Sequence, residues 1–360
     1  MATFVMQSLG CEVAALNTVN FSNHTGYGQI TGTKASAQEI TALYHGLRQS
    51  YLTDFDVLLT GYAPSAAAVE AVGAIGRELQ QKSASRPGSF FWILDPVMGD
   101  QGRIYVNEDV VPAYKSLIPH ADLILPNQFE AELLSGITIK SLADLAAAIA
   151  AIHRTYHVPH VIVTSVQLPT TTSTTTDGAA RTAPPNTLVI IGSTVRSDGS
   201  PRLFKVDVPC LDCFFSGTGD MFAALMVARL REAVFADNAH ADAHAAPNTS
   251  PLLRETPSWV SPDRVAPADL PLAKATEKVL ASMNAVLERT MAARARELAG
   301  HVDGDGSEGE GEGVTEAERE RAAEKRARLR RTKAAEVRLV RNVDLLKNPK
   351  VKFFAQECRI

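Results

Sequence analysis

Residues Ser216-Gly-Thr-Gly-Asp-Met-Phe222 set two glycines, a hydroxyl and a carboxylate at the start of an apolar helical run, just after a strand-like stretch from Phe204 to Val208. A glycine-rich turn can aim backbone N–H groups at one point, and a helix start adds partial positive charge there. Such a corner can hold phosphate. Asp220 stands where a carboxylate could take the proton of an attacking hydroxyl, which completes a kit for phosphoryl transfer. In isolation, Gly-Thr-Gly-Asp describes equally well a turn with an acid near a helix N-terminus.

Other clusters also follow apolar runs. Asp95-Pro-Val-Met-Gly-Asp100 places two carboxylates beside a backbone kink. Paired acids suit a divalent cation such as Mg²⁺ bridging nucleotide phosphates, while Asp-Pro and Gly-Asp are also common turn formers. In Pro126-Asn-Gln-Phe-Glu130, Asn127 reads as a helix N-cap with Glu130 three residues on. That capping box explains the pair without chemistry, although Glu130 could also face phosphates and hold a metal-bound water. Val19 to Tyr27 gathers Phe21, Ser22, Asn23, His24, Thr25 and Tyr27, a set that fits a planar heterocycle or a plain polar loop. Thr60-Gly-Tyr62 and Thr164-Ser165 stand at strand ends as further candidates or as ordinary turns.

The elements that must position these groups are legible as an alternation. Strands are expected at Asp56–Thr60, Phe90–Leu94, Asp122–Leu125, His160–Thr164, Thr187–Ile191 and Leu203–Val208, the first four apolar almost throughout. Helices are expected at Ala37–Gln49, Ser65–Gln81, Glu108–Ser116, Gln128–Ser135 and Ser141–Tyr156. Continuous apolar strands separated by helices predict an α/β fold with a mostly parallel sheet covered on both faces, and ligands gather where such strands end. The motifs fall at those ends.

With 360 residues, 45% hydrophobic content and net charge −4, the chain can bury one large core or two ordinary ones, and a single domain with no nucleic-acid partner is expected. It has no apolar run that could span a bilayer and no basic-then-apolar leader pattern, so no membrane association and an intracellular location are expected. Four scattered cysteines agree with a reducing compartment. The lone Cys210-x-x-Cys213 lacks the further ligands of a zinc site. Segments 168–186, 235–267 and 300–335 break the pattern and read as flexible insertions; the last is an acidic Gly-rich linker leading into a solvated charged helix.

Taken in order, Phe21-Ser-Asn-His-Thr-Gly-Tyr27, Leu59-Thr-Gly-Tyr62, Asp95-Pro-Val-Met-Gly-Asp100, Pro126 to Gly136, Val163-Thr-Ser165 and Gly217-Thr-Gly-Asp220 resemble the pyridoxal kinases of the ribokinase-like superfamily, the eukaryotic branch above all. The resemblance implies a three-layer α/β/α sandwich that phosphorylates the 5′-hydroxymethyl group of pyridoxal, pyridoxine or pyridoxamine with ATP. It implies Asp220 as catalytic base, and Gly217, Thr218 and Gly219 as an anion hole. Thr164, Ser165 and Asn127 would meet ATP phosphates, and Asp95, Asp100 and Glu130 would act on Mg²⁺. Thr25, Tyr62 and Tyr105 would border the vitamin. A potassium-like K⁺ site, a homodimer and a cytoplasmic location, with the nucleus as a second compartment, come with the family.

Two departures stand out. Relatives begin with a central strand, a Ser-containing loop and a Gly-Tyr-Val-Gly-Asn segment ahead of a helix containing Ala-Thr-Phe, whereas this sequence starts at Met1-Ala-Thr-Phe4. A sheet without its first strand is therefore expected, with a truncated N-terminus or a catalytically impaired binding or dimerisation homologue as the two explanations. Leu125 also stands where the family often carries Thr. Hydroxymethylpyrimidine or sugar phosphorylation on the same fold is a third alternative, opposed by the Phe21–Tyr27 motif.

Overall fold

The structure is a computed structural model and describes residues 1–167, 173–174, 180–181, 187–236, 252–300 and 315–358. Its central sheet contains β1 (Val57–Thr60), β2 (Phe91–Leu94), β3 (Leu123–Ile124), β4 (His160–Val166), β5 (Thr187–Val195), β6 (Pro201–Pro209) and β7 (Gln356–Glu357). The strands lie side by side in chain order. From β1 to β4 neighbours run parallel, and from β4 to β7 each neighbour reverses.

The helices are α1 (Ala2–Ser8), α2 (Ala37–Gln49), α3 (Ala66–Ser83), α4 (Val110–Leu117), α5 (Gln128–Ser135), α6 (Leu142–Tyr156), α7 (Thr218–Ala236), α8 (Pro271–Ala299) and α9 (Glu316–Ala334). Parallel neighbours need crossovers, and α3 to α6 supply them. One hydrophobic core joins α2 to α6 with one face of the sheet, and a second joins α1, α7 and α8 with the other. Every residue of β2 is consequently buried, which is why that strand reads as a continuous apolar run. Side-chain caps start α2, α3 and α6: Ser36, Ser65 and Ser141 each accept a hydrogen bond from the amide three residues on, as N-caps do. The expected bounds of α2 and α5 match those observed, and the other elements shift by only a few residues.

At the β1 end, the sheet has no strand beyond Val57–Thr60 among the described residues. A cavity of about 1460 Å³ adjoins that open edge, and its lining includes Val57, Leu59, Met1, Met6 and Leu9. The layered α/β arrangement therefore has the expected form, with the edge beside β1 open among the described residues. Among the described residues no helix is long and apolar enough to cross a membrane.

The expectation of a loose surface loop over 235–267 needs correction for its described part. Trp259, 4% exposed, stacks on Phe91 with ring centroids 4.2 Å apart. Arg202 donates to the carbonyls of Pro262 at 2.7 Å and Ser261 at 2.8 Å. Composition concealed this because a few single residues, rather than a periodic face, tie the segment down. Residues 237–251 and 301–314 lie outside the described residues, as does 168–186 apart from a two-stranded ribbon pairing 173–174 with 180–181. The helix expected over 316–333 is α9, solvated along most of its length.

Ser258 in that segment also donates to Asp122 at 2.5 Å, and the other oxygen of Asp122 accepts from the amide of Trp92 at 2.6 Å. Burial pushes the Asp122 carboxyl from the ordinary 3.8 up to about 6, against the pull of these two bonds. The folded chain thus holds this proton more tightly than the unfolded chain. That contribution to stability is complete below about pH 3.8 and is lost as pH rises through about 6. Asp122→Asn keeps an acceptor for Trp92 and gains a donor for Ser258. The variant should match or exceed the parent's stability at pH 7.5, by at most about 3 kcal/mol, and its urea midpoint should vary less between pH 4 and 6. A variant strongly destabilised at pH 7.5 would show that the ionised carboxylate is the favoured form.

Candidate active site

The carboxyl ends of β1 to β4 and the start of α7 converge on one region. The amide of Asp95 donates to the carbonyl of Thr60 at 2.8 Å, Leu125 to Leu94 at 3.1 Å, and Thr164 to Pro126 at 3.0 Å. These main-chain bonds carry the parallel pairing past the strand ends, so the loops bearing Tyr62, Asp95, Asn127 and Thr164 leave the sheet side by side.

At the start of α7, Gly217 has φ +80°, a conformation that penalises any side chain. The first amides of a helix have no partner within it. Thr218, Gly219 and Asp220 form that first turn, so their N–H groups are available to an anion. Gly219 leaves room for a neighbour: a Cβ there would stand 3.8 Å from Oδ2 of Asp95. Asp95 and Asp220 thereby flank the corner, and both line the large cavity together with Thr60, Gly61 and Tyr62.

The carboxylates influence one another. Burial raises the Asp95 carboxyl well above its ordinary value, and the negative charges of Glu130 and then Asp220 add to that. Burial also raises Asp220, opposed by the positive chain terminus. Neither carboxylate accepts a hydrogen bond from a described residue. Asp100 is exposed and accepts from the amide of Gln101 at 2.8 Å.

Glu130 is held differently. Its Oε1 accepts from the amides of Met98 at 2.9 Å and Gly99 at 3.3 Å, and its Oε2 accepts from the amide of Asn127 at 2.9 Å. Asn127 caps α5 by accepting from the amide of Glu130, so the capping box read from sequence is present. The side-chain amide of Asn127 also donates to the carbonyl of Gly99 at 2.8 Å. Burial lifts the Glu130 carboxyl from 4.5 to about 7 despite these three amides. Local sequence favoured capping over chemistry here; the tertiary structure adds that the same side chain clasps the loop between Asp95 and Asp100.

Among the described residues, no three His, Cys, Asp or Glu side chains are grouped closely enough to hold a metal ion. A cation at Asp95 and Asp100 would therefore rely on water and nucleotide phosphates for the rest of its coordination, as Mg²⁺ commonly does. The negative charges of Asp95, Glu130 and Asp220 would favour such a cation.

Of the residues expected at the acceptor end, Tyr62 lines the cavity. Its turn is fixed by Tyr114, whose hydroxyl donates to Gly61 at 2.8 Å and accepts from the amide of Ala63 at 3.1 Å, and by Thr18, which donates to the carbonyl of Tyr62 at 2.7 Å. Tyr114 escaped the sequence reading because a buried aromatic on a helix looks like core. Tyr105, 58% exposed, faces the carboxylates: its phenol is raised first by the enclosure of its hydroxyl, then by the charges of Glu130, Asp95 and Asp100. Thr25 is exposed on the turn Thr25–Tyr27 and lies outside the cavity lining, although that turn approaches Phe214 just ahead of the α7 corner. Thr164 is half-buried and Ser165 exposed at the end of β4.

The sequence profile of the phosphomethylpyrimidine kinase family matches residues 13–246. Human pyridoxal kinase is 36% identical over 236 residues, which make up 63% of this chain and 70% of the human one. The chain belongs to the pyridoxal kinase family. Pig pyridoxal kinase agrees, at 38% identity over 236 residues covering 63% and 68% of the two chains. A solved pyridoxal kinase from Leishmania donovani, in complex with ADP and pyridoxamine, superposes with a TM-score of 0.69 at 26% identity, over 99% of this chain and 93% of that one. As a member of that family, the chain is a phosphotransferase with the ribokinase-like fold.

Proposed function

We propose that this chain transfers the terminal phosphoryl group of ATP to the 5′-hydroxymethyl group of pyridoxal, pyridoxine or pyridoxamine, with Asp220 as the base. The observation that carries this is the α7 corner: a left-handed Gly217, unspent helix amides and a raised, unpaired Asp220 beside Asp95, in a chain whose family includes an enzyme solved with ADP and pyridoxamine. The acceptor hydroxyl gives its proton to the Asp220 carboxylate as its oxygen bonds to the γ-phosphorus, and the bond from that phosphorus to the bridging oxygen of ADP breaks. Gly217, Thr218 and Gly219 meet the transferring group with backbone amides placed before the reaction begins. Thr164, Ser165 and Asn127 meet the nucleotide phosphates, while Thr25, Tyr62 and Tyr105 orient the vitamin. Alignment of this kind supplies much of the rate in phosphoryl transfer.

Asp95 and Asp100 would hold Mg²⁺ through oxygen and water, with Glu130 fixing the loop between them; the ion would neutralise phosphate charge. A K⁺-like cation and a homodimer come with the family resemblance. A cytoplasmic location, with the nucleus open as a second compartment, likewise comes with that resemblance. No observation favours an impaired binding or dimerisation homologue.

The test is ATP-dependent formation of pyridoxal 5′-phosphate, followed by absorbance with the folded chain. Product that requires both ATP and protein is expected. A folded chain that binds ATP and forms no phosphorylated vitamer would overturn the assignment.

A further inference from the structure

We propose that Glu336 is a positioning residue for the acceptor: from outside the site it grips His24 and Tyr27 and so sets the turn that presents Thr25. This role rests on the assignment of that turn to the vitamin.

Within the loop, the side-chain amide of Asn23 donates to the carbonyls of His24 at 3.2 Å and Gln29 at 2.6 Å, and the amide of Gly28 donates to Thr25 at 2.8 Å. His24 caps the turn, with Nδ1 accepting from the amide of Gly26 at 3.1 Å. An accepting Nδ1 is unprotonated, so in the neutral ring the proton sits on Nε2. That nitrogen lies 3.2 Å from Oε1 of Glu336. The hydroxyl of Tyr27 donates to the same oxygen at 2.9 Å. One carboxylate oxygen thus joins both ends of the turn, and the two rings meet at 4.8 Å between centroids. Burial, followed by the hydrogen bond and charge of Glu336, raises the Tyr27 phenol to about 12, so it remains a donor.

Glu336 sits on a firm mount. Ala334 and Leu339 on either side are buried. Arg338 donates from its amide to Thr290 at 3.3 Å and from its guanidinium to Glu297 at 2.6 Å, which pins the segment to α8. Arg328 on α9 approaches Gly28 so closely that a Cβ there would lie 2.7 Å from Nη1. The end of a helix that reads in sequence as a plain solvated face therefore steadies the turn from behind. A positioned turn presents Thr25 in one orientation; a released turn must be ordered by the acceptor itself, and that cost falls on acceptor affinity.

Glu336→Ala should raise KM for pyridoxal about fivefold, roughly the net worth of one ordinary hydrogen bond, while kcat and KM for ATP stay within about twofold. Glu336→Gln keeps an accepting oxygen and should return KM for pyridoxal to near the parent's value. Amide hydrogen exchange should quicken at Gly26 to Gly28 in the Ala variant and stay unchanged in β2 and β4. An unchanged KM for pyridoxal in an otherwise active Ala variant would overturn the role, as would equal losses in the ATP and pyridoxal constants or unchanged exchange in the turn. A parent chain that phosphorylates no vitamer would instead overturn the acceptor assignment, and this role with it.

Discussion

Asp220→Asn is expected to lower kcat by about 10²- to 10⁴-fold, the usual worth of a positioned general base, and to leave the affinity for ATP and the fold intact. Asn has nearly the same shape, so the helix start and its amides keep their geometry. What disappears is a basic oxygen. The parent carboxyl is raised by burial, which makes it a stronger base than a solvated carboxylate and places it closer to neutrality. Turnover should therefore fall on the acid side as Asp220 gains its proton, and that limb of the profile should vanish from the residual activity of the Asn variant. A nucleotide-binding titration beside steady-state assays separates the two effects. Turnover within about tenfold of the parent would assign the proton to another group, and Asp95, across the corner, would be next to test.

The second large effect is expected at Glu130. In Glu130→Ala the buried amides of Met98, Gly99 and Asn127 lose their acceptors together. At about 1–3 kcal/mol for each unsatisfied donor, the fold should lose about 3–9 kcal/mol, less whatever entering water restores. Glu130→Gln is the sharper variant, since one oxygen still accepts while its NH2 group confronts an amide donor; about 1–3 kcal/mol is expected. Urea unfolding measures both. Activity should fall further than stability alone explains, because the loop that Glu130 holds carries Asp100, and the Mg²⁺ concentration for half-maximal rate should rise. A Gln variant as stable as the parent would show that the three-amide clasp contributes little.

Several features of the site were legible because they are local. Gly217-Thr-Gly-Asp220 encodes a left-handed glycine and a helix start within four residues. The capping of α5 by Asn127 and Glu130 is a spacing of three. The strands β1 to β4 announced themselves because helices cover both faces of the parallel part of the sheet, which favours apolar residues at successive positions, as throughout β2. The positions of Asp95, Asn127 and Thr164 followed, since loops after parallel strands emerge on one edge.

Other features had no local signature. Trp259 and Ser258 lie in a segment of unpromising composition, yet one stacks on Phe91 and the other binds Asp122. Tyr114 reads as core and works as the clasp of the turn before Tyr62. Glu336 is a single acid near a charged helix, more than three hundred positions from Tyr27. The sequence by itself determined the alternating α/β plan, the glycine corner at the start of α7 and the cap of α5, because periodicity, turn chemistry and capping act within a few residues; the order of its motifs carried the family resemblance. Only the tertiary structure decided which carboxylates repel, which one is clasped by amides and what steadies the acceptor turn, because burial and charge act through space between segments whose separation along the chain carries no such information.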